Sequence, residues 1–364
     1  MKKAIIIDWL DKYGGAERVI QKINNIFHFD QIYTLTNIMK NEEFVQLFPQ
    51  NKVTINDTIL RKSGSRFRIF YFSFFYLISK IKIDKNVDLI ISSSHSVAKG
   101  ISKSRKDQVH ISYFQARNSN YIWDEVDLYF GKFKILFYPL LYVLRRFDIK
   151  QSQKPDFIVS NSIFVQQWVK KVYNRDSVVI YPPVNFDKFN LKIQKEDYYV
   201  IVGRIAAIKR FDIVIKAFNN NKRKLIVIGD GEELESLKNL AKSDQIFFKG
   251  FQTAEEVAKY VGSAKAFIQV GIEGFGIAPL EAQACGTPVI AYAKGGVLET
   301  IIENKTGVFF NEQSVESLNN AILIFEQLTF DNNFMRNHAL NFSEENFERN
   351  FKQFVESKIH PKLI

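Results

Sequence analysis

The side chains best suited to chemistry in this chain sit in one run, Glu273-Gly274-Phe275-Gly276-Ile277-Ala278-Pro279-Leu280-Glu281. The run follows an apolar stretch, Ala266–Val270, that reads as a strand, and it leads into a helical pattern ending at Gly286-Thr287-Pro288. Glu273 falls in the loop and Glu281, eight residues on, falls about a turn into the helix. A carboxylate accepts paired hydroxyl hydrogen bonds, so each glutamate suits a sugar ring. The amides of Gly276 and Ile277 lie at a helix N-terminus, where an anionic phosphate is favoured. That order of groups suits a nucleotide-diphosphate sugar. A helix that simply carries acids near its start, as the dipole favours, accounts for one glutamate more easily than for the whole constellation.

Two further motifs place cations and glycines at strand ends. Val202-Gly203-Arg204 follows an expected strand, and Lys209-Arg210 comes shortly after. Arg204 offers a planar fork and Lys209 a compact charge, both suited to a diphosphate, although a solvated basic loop reads the same way. Near the N-terminus, Asp8 is followed by Gly14-Gly15-Ala16-Glu17. A strand, a glycine turn and a helix start bring bare amides and a dipole to one place. It is not a dinucleotide fingerprint, and a plain turn whose glycines serve its backbone angles accounts for it equally well.

These motifs need a scaffold that carries strand ends to a common edge. Short apolar runs alternating with amphipathic stretches read as βαβ units on parallel sheets. The first half offers strands at Lys3–Asp8, Gln31–Thr36, Lys52–Ile55, Val87–Ser92, Gln108–Tyr113, Asp156–Val159 and Val178–Tyr181. The second half offers Tyr198–Val202, Lys224–Ile228, Gln245–Lys249, Ala266–Val270, Pro288–Tyr292 and Gly307–Phe310. Two series imply two doubly wound α/β domains, joined near Tyr181-Pro182-Pro183-Val184, where two prolines stiffen the connection. The tail after Phe342 reads as a helix with Phe347, Phe351 and Phe354 at helical spacing, opened by Ser343. The expected domains are 1–184, 185–342 and a final helix, 343–364.

The composition excludes several classes. With 364 residues, 46% apolar and 24% charged, the chain is neither disordered nor fibrous. Its single cysteine, Cys285, excludes a disulfide framework and a cysteine-based zinc site, and points to a reducing, cytoplasmic setting. The apolar run Ala4–Ile7 is too short for a signal-peptide core, and Phe67–Ser79 is too short to span a bilayer.

Together the motifs resemble those of the retaining GT-B glycosyltransferases of family 4 (group 1). The resemblance rests on Gly14-Gly15-Ala16-Glu17, Gly203-Arg204 with Lys209, the pair Glu273 and Glu281, and Gly295-Gly296 with Glu299-Thr300. Residues 281–300 (EAQACGTPVIAYAKGGVLET), 92–100 (SSSHSVAKG) and the Tyr181–Val184 linker resemble the mannosyltransferase branch of O-antigen and capsule assembly. The resemblance implies a GT-B fold, two Rossmann-like domains facing a cleft, with the last helix returning to the first domain. It implies that Arg204 and Lys209 neutralise the leaving diphosphate and that Glu281 holds the ribose. Glu273 would contact the donor sugar near its 3- and 4-hydroxyls. Gly203, Gly274, Phe275, Gly276 and Ile277 would line the donor site, with the amides of Phe275 to Ile277 on phosphate. It places His95 against the donor sugar, although a lone histidine is often a packing residue. It places Gly14 and Gly15 under the diphosphate and acceptor, with Gln115 and Arg117 on the acceptor side. No Asp-x-Asp pair follows a strand, so no cofactor and no metal are expected, cations replacing the metal at the leaving group. Two departures stand out. Gln115 occupies a position where relatives carry His, in a loop one residue longer, and Gly274 stands where an acidic residue is common.

The net charge of +11 is unevenly placed. Residues 1–180 carry 28 Lys and Arg against 16 Asp and Glu, whereas residues 181–364 carry 22 against 23. A basic, aromatic stretch runs from Arg61 through Arg66, Arg68, Phe70 and Phe72 to Leu77, followed by Lys80, Lys82 and Lys85. Arg145-Arg146 and Lys132 with Lys134 are candidates for the same face. Such a face suits an anionic membrane surface, where a lipid-linked glycan acceptor would be presented, while an ordinary helix with a solvated basic face is the alternative. The expectation is a peripheral protein on the inner face of the cell membrane that transfers a hexose, mannose from GDP-mannose favoured, to a lipid-linked or polysaccharide acceptor. UDP-sugar transferases, epimerases and glucan synthases of the same fold remain alternatives. A non-enzymatic membrane or nucleic-acid binder would explain the charge but not the glutamates, and nucleic acid is not expected as a partner.

Overall fold

The computed structural model describes residues 1–49, 53–131 and 134–359. The chain divides into two compact units, Met1–Pro183 together with the segment from Glu345, and Val184–Glu344. Among the described residues, the first unit holds β1 (Lys2–Ile7), β2 (Gln31–Thr34), β3 (Thr54–Asn56), β4 (Val87–Ser94), β5 (Val109–Phe114), β6 (Phe157–Ser160) and β7 (Val178–Val179). The second holds β8 (Tyr199–Val202), β9 (Leu225–Ile228), β10 (Ile246–Gly250), β11 (Ala266–Gln269), β12 (Val289–Tyr292) and β13 (Gly307–Phe310). Every apolar run expected to be a strand is one. Lys52, the expected start of the third, lies outside the described residues.

Both sheets are parallel. The first runs β3-β2-β1-β4-β5-β6-β7 and the second β10-β9-β8-β11-β12-β13. Helices cover both faces, so inner strands such as β1 are buried on both sides and read as continuous apolar runs. Strand order reverses between β1 and β4 in the first sheet, and between β8 and β11 in the second. At such a point the two neighbouring connections leave toward opposite faces, opening a crevice at the carboxyl ends. The loops after β1, β4, β8 and β11 are therefore the ones the topology leaves for ligands.

On one face of the first sheet, Ile5, Ile7, Leu89 and Ile91 meet the helix Gly15–Phe27 and the last helix, Glu344–Lys358. That last helix begins just after Ser343 and buries Phe347, Phe351 and Val355, four residues apart along one stripe. Phe351 lies 6.0 Å from Phe27 and 5.8 Å from Tyr113, ring to ring. On the other face, Ile6 and Ile90 meet tight turns spanning Ile59–Ser73, the helix Phe74–Lys80 and the long helix Lys134–Ser152. In the second unit, Ile201, Val227 and Ile268 pack one way, while Val200, Ile226 and Phe267 pack the other.

The core of the first unit also holds an imidazole. His110 is fully buried, with Nε2 2.9 Å from the Ser92 hydroxyl, which in turn donates to Ser112. Burial pushes His110 down to about 3 from its ordinary 6.5. Between those values the unfolded chain binds a proton that the folded chain refuses, so stability falls as pH drops from about 6.5 toward 3. Urea unfolding across that range should show the decline in the wild type. His110→Asn, less stable throughout, should show a shallower slope, His338 and the paired carboxylates supplying the rest, and an unchanged slope would refute the assignment.

Candidate active site

In the first unit the site is built around Asp8, the residue after β1. Its carboxylate is completely buried and accepts four backbone amides from the turn after β4. The His95 and Ser96 amides donate to Oδ2 at 2.7 and 2.9 Å, and the Val97 and Ala98 amides donate to Oδ1, both at 2.6 Å. The His95 ring adds Nδ1 at 3.1 Å from Oδ2. A carboxylate only accepts, so the ring proton sits on Nδ1 and Nε2 is the outward nitrogen. Trp9 meets the imidazole edge to face at 4.5 Å. His95 is thus held on two sides and is only partly exposed.

Beside His95 lies a cavity of about 300 Å³. Trp9, Tyr71, Phe74 and Tyr121 supply aromatic walls, and Arg68, Arg117, Asn120 and Glu125 supply polar ones. Both arginines are countered. Arg68 reaches Asp11 at 2.5 Å and lies over Trp9 and Phe67. Arg117 meets Asp124 at 3.0 Å and sits over Phe164. Aromatic faces with flanking hydrogen-bonding groups and little net charge fit a neutral sugar ring.

Gln115 stands at the end of β5. Its amide donates twice, to the Ala16 carbonyl at 3.0 Å and to the Ser93 hydroxyl at 2.7 Å. It braces the first turn of the helix Gly15–Phe27, a double donation that a neutral histidine, with one ring N–H, does not make. Gly14 has extended backbone (φ −157°), so the turn does not need glycine for its angles, contrary to the plain-turn reading. A side chain at Gly15 would meet nothing within 4 Å, and one at Gly14 would press on the Glu17 carboxylate at 3.3 Å. Burial pushes the Glu17 carboxyl up, opposed in part by a hydrogen bond from its own backbone amide.

In the second unit the loops after β8 and β11 meet, as the topology requires. Lys209 ends the short turn Ala207–Lys209 and forms an ion pair with Glu273. Arg204, just after Gly203 at the end of β8, is exposed, and no hydrogen bond or ion pair engages its side chain among the described residues. Arg210, in contrast, is spent on Asp212 at 3.0 Å. The helix Ile277–Ala284 begins at Gly276, whose φ of 102° favours glycine, and Glu281 lies half-buried in its second turn. Phe275 is buried against Phe342. The amide of Gly296 donates to the Glu273 carbonyl at 3.0 Å, and a Cβ at Gly296 would fall 2.3 Å from the Phe275 Cα. Gly295-Gly296 therefore carries the Glu273–Gly276 loop.

The donor-side residues named from sequence thus gather at one switch point: Gly203, Arg204 and Lys209 from one loop, and Glu273 through Ile277 from the other, with Glu281 behind. Gly14, Gly15, His95, Gln115 and Arg117 gather in the first unit. Sequence reasoning missed Asp8 as a clamp and Trp9 as a wall. An acid closing an apolar strand before a glycine turn is the signal for Asp8. The amides it holds are eighty-seven and more residues away, and no local pattern shows them.

A sequence model of the family described as Glycosyl transferases group 1 matches residues 184–345. An uncharacterized glycosyltransferase of Methanocaldococcus jannaschii is 28% identical over 239 residues, 58% of this chain and 60% of that protein. The O-antigen chain mannosyltransferase RfbU of Salmonella typhimurium is 29% identical over 216 residues, 56% of this chain and 61% of that protein. The chain thus spans about three fifths of the length of these relatives. Among solved structures, HepE of Anabaena in complex with UDP superposes with a TM-score of 0.69 at 14% identity, covering 98% of this chain and 100% of that one. The architecture is the two-sheet GT-B fold.

Asp8→Asn tests the clamp. It leaves one acceptor oxygen for four amides and turns an NH₂ toward the others. The expected loss is on the order of 3 kcal/mol in the first unit, read by urea unfolding. A loss within experimental error would mean that the carboxylate does not hold the turn.

Proposed function

Residues 184–345 belong to the group 1 glycosyltransferase family, and from that premise we propose that the chain is a retaining, metal-independent glycosyltransferase. It moves a hexose from a nucleotide-diphosphate sugar to a lipid-linked or polysaccharide acceptor in cell-surface glycan assembly. The observation that carries this reading is the meeting of Lys209, Glu273 and the helix start at Gly276 on one switch point. Arg204 and Lys209 oppose the charge that grows on the departing diphosphate, with the amides of Phe275 to Ile277 on its oxygens. Glu281 accepts from the ribose hydroxyls, Glu273 from the sugar, and His95 contacts the transferred ring. The bond from the anomeric carbon to phosphate breaks as the bond to the acceptor oxygen forms on the same face. The acceptor's proton passes to the leaving phosphate. GDP-mannose is the favoured donor, supported by the likeness to an O-antigen chain mannosyltransferase.

Thermal shifts with GDP, UDP, ADP and their sugar conjugates test the donor. One nucleotide should stabilise the protein with and without chelator, most strongly as one sugar conjugate, and GDP-mannose is the expected one. No shift with any of them would remove the reading, and a shift that chelator abolishes would remove its metal independence. Glu273→Gln should lower turnover by roughly a hundredfold or more, with an unfolding midpoint close to wild type. Wild-type turnover would sink the site assignment.

The acceptor side is proposed to work against the inner face of the cell membrane. Among the described residues no helix is long and apolar enough to cross a bilayer. Exposed apolar groups are concentrated instead on the helix Lys134–Ser152, where Ile135 and Leu136 are 69% and 75% exposed and Tyr142 and Phe147 also face outward. Arg146 and Lys150 flank them. The stretch 61–77 contributes less than its sequence promises, because Phe67, Phe74 and Phe75 are buried and only Ile69, Phe70 and Tyr76 are exposed. Arg145 turns inward over Trp123, and Lys132 lies outside the described residues. The protein should pellet with anionic vesicles at low salt, less at high salt, and less as Leu136→Ser. Failure to pellet at low salt would end this part of the proposal.

A further inference from the structure

Beneath the cavity of the first unit, Lys99 and Asp148 form an ion pair at 2.6 Å with neither side chain exposed. A buried pair of this kind is no asset to stability, since apolar side chains of similar volume serve as well or better. The partners of this one share a pattern. The Lys99 ammonium also donates to the Ser96 carbonyl at 2.5 Å and lies over the Tyr173 ring. Asp148 accepts from the Trp123 indole at 2.7 Å and the Tyr173 hydroxyl at 2.6 Å, and the Ser119 hydroxyl lies between the Ser96 carbonyl at 3.2 Å and Asp148 at 3.4 Å. The Ser119 amide donates to the His95 carbonyl at 3.0 Å. Ser119 and Trp123 bracket Asn120 and Tyr121, two cavity residues, and a third, Glu125, lies two residues beyond Trp123. Ser96 is fixed independently, through its amide on Asp8.

We infer that Lys99 and Asp148 are positioning residues that hold the Asn118–Glu125 wall of the cavity in register with the His95–Ser96 peptide, and so set the acceptor's place beside His95. The inference rests on the glycosyltransferase reading for its consequence, though not for its geometry. Asp8 holds His95 without help from the pair. Loss of the pair therefore moves the acceptor wall and leaves donor handling alone.

Three variants test this: Lys99→Met, Asp148→Asn and the double change Lys99→Met with Asp148→Leu. Each single change leaves one buried charge unpaired and should lower the unfolding midpoint. The double change leaves no unpaired charge but strands the Trp123 and Tyr173 donors, and should recover only part of the loss. With octyl α-mannoside as the acceptor probe, kcat/KM for the acceptor should fall tenfold or more in the double variant. Donor KM and donor hydrolysis should stay within twofold. A folded double variant with wild-type acceptor kinetics would show the pair to be structural only and overturn the inference. So would an equal loss of donor hydrolysis. If the wild type neither transfers nor hydrolyses any nucleotide sugar, the proposed function fails by itself, and the crystal structure of the double variant decides. Displacement of Asn120 to Glu125 by more than about 1 Å over an unchanged sheet supports positioning, and an unmoved wall overturns it.

Discussion

The carboxylate of Asp8 has no exposed surface and is met by four backbone amides rather than by a cation. A buried charge is tolerated only when hydrogen bonds replace its water, and these four come from one turn. That requirement fixes where the chain goes after β4. The turn must close over the end of β1, at the place where the strand order reverses. His95 rides on it, with its proton pinned to Nδ1, and Trp9, the residue after Asp8, meets the ring edge to face. The cavity, the wall of Asn120 to Glu125 and the buried ion pair below all take their places from that turn.

The second unit solves the same problem without a buried charge. Its two switch-point loops are brought together by backbone proximity. Gly271 lies so close to the Lys209 Cα that a Cβ would fall 2.9 Å away, and Gly296 runs still closer under Phe275. The result is an ammonium and a carboxylate in contact beside a helix start, on a scaffold that leaves Arg204 exposed. A carboxylate clamp rigidifies one loop against one histidine. Glycine contacts allow two loops to present several groups at once, which is what a diphosphate and two sugars would need.

The strands were legible because parallel strands buried on both faces are apolar throughout, and helices that cover them repeat at 3.6 residues. The donor residues were legible because they crowd into two short segments, 203–209 and 273–281. The first unit was harder, since its groups act across long separations. Asp8 reaches residues 95–98, Lys99 reaches Asp148, and Gln115 reaches Ala16. The exposed apolar surface was misplaced for a related reason. An aromatic run such as 67–76 shows composition but not facing, and here Phe67, Phe74 and Phe75 turn inward, the first two against Trp9. The helix Lys134–Ser152 bears more exposed apolar surface than that run, because its own core stripe is narrow: Leu141, Leu144 and Asp148 with little else.

The basic excess of the first half takes on a clearer meaning once its pairs are removed. Arg68 is answered by Asp11, Arg117 by Asp124, Lys99 by Asp148, Lys103 by Asp156 and Arg105 by Asp88. These pairs lie in and under the cavity or at the strand starts, and they take up five of the sixteen acids. What remains is the exposed set, among them Arg66, Lys80, Arg146 and Lys150, next to exposed Ile69, Phe70, Tyr76 and Phe147. The cavity interior is therefore close to neutral while the surface around it is cationic and apolar. A polyanion threading the cavity would meet arginines already satisfied. An uncharged ring delivered from an anionic surface would meet aromatic walls inside and attraction outside, and only that division of labour uses both halves of the charge pattern.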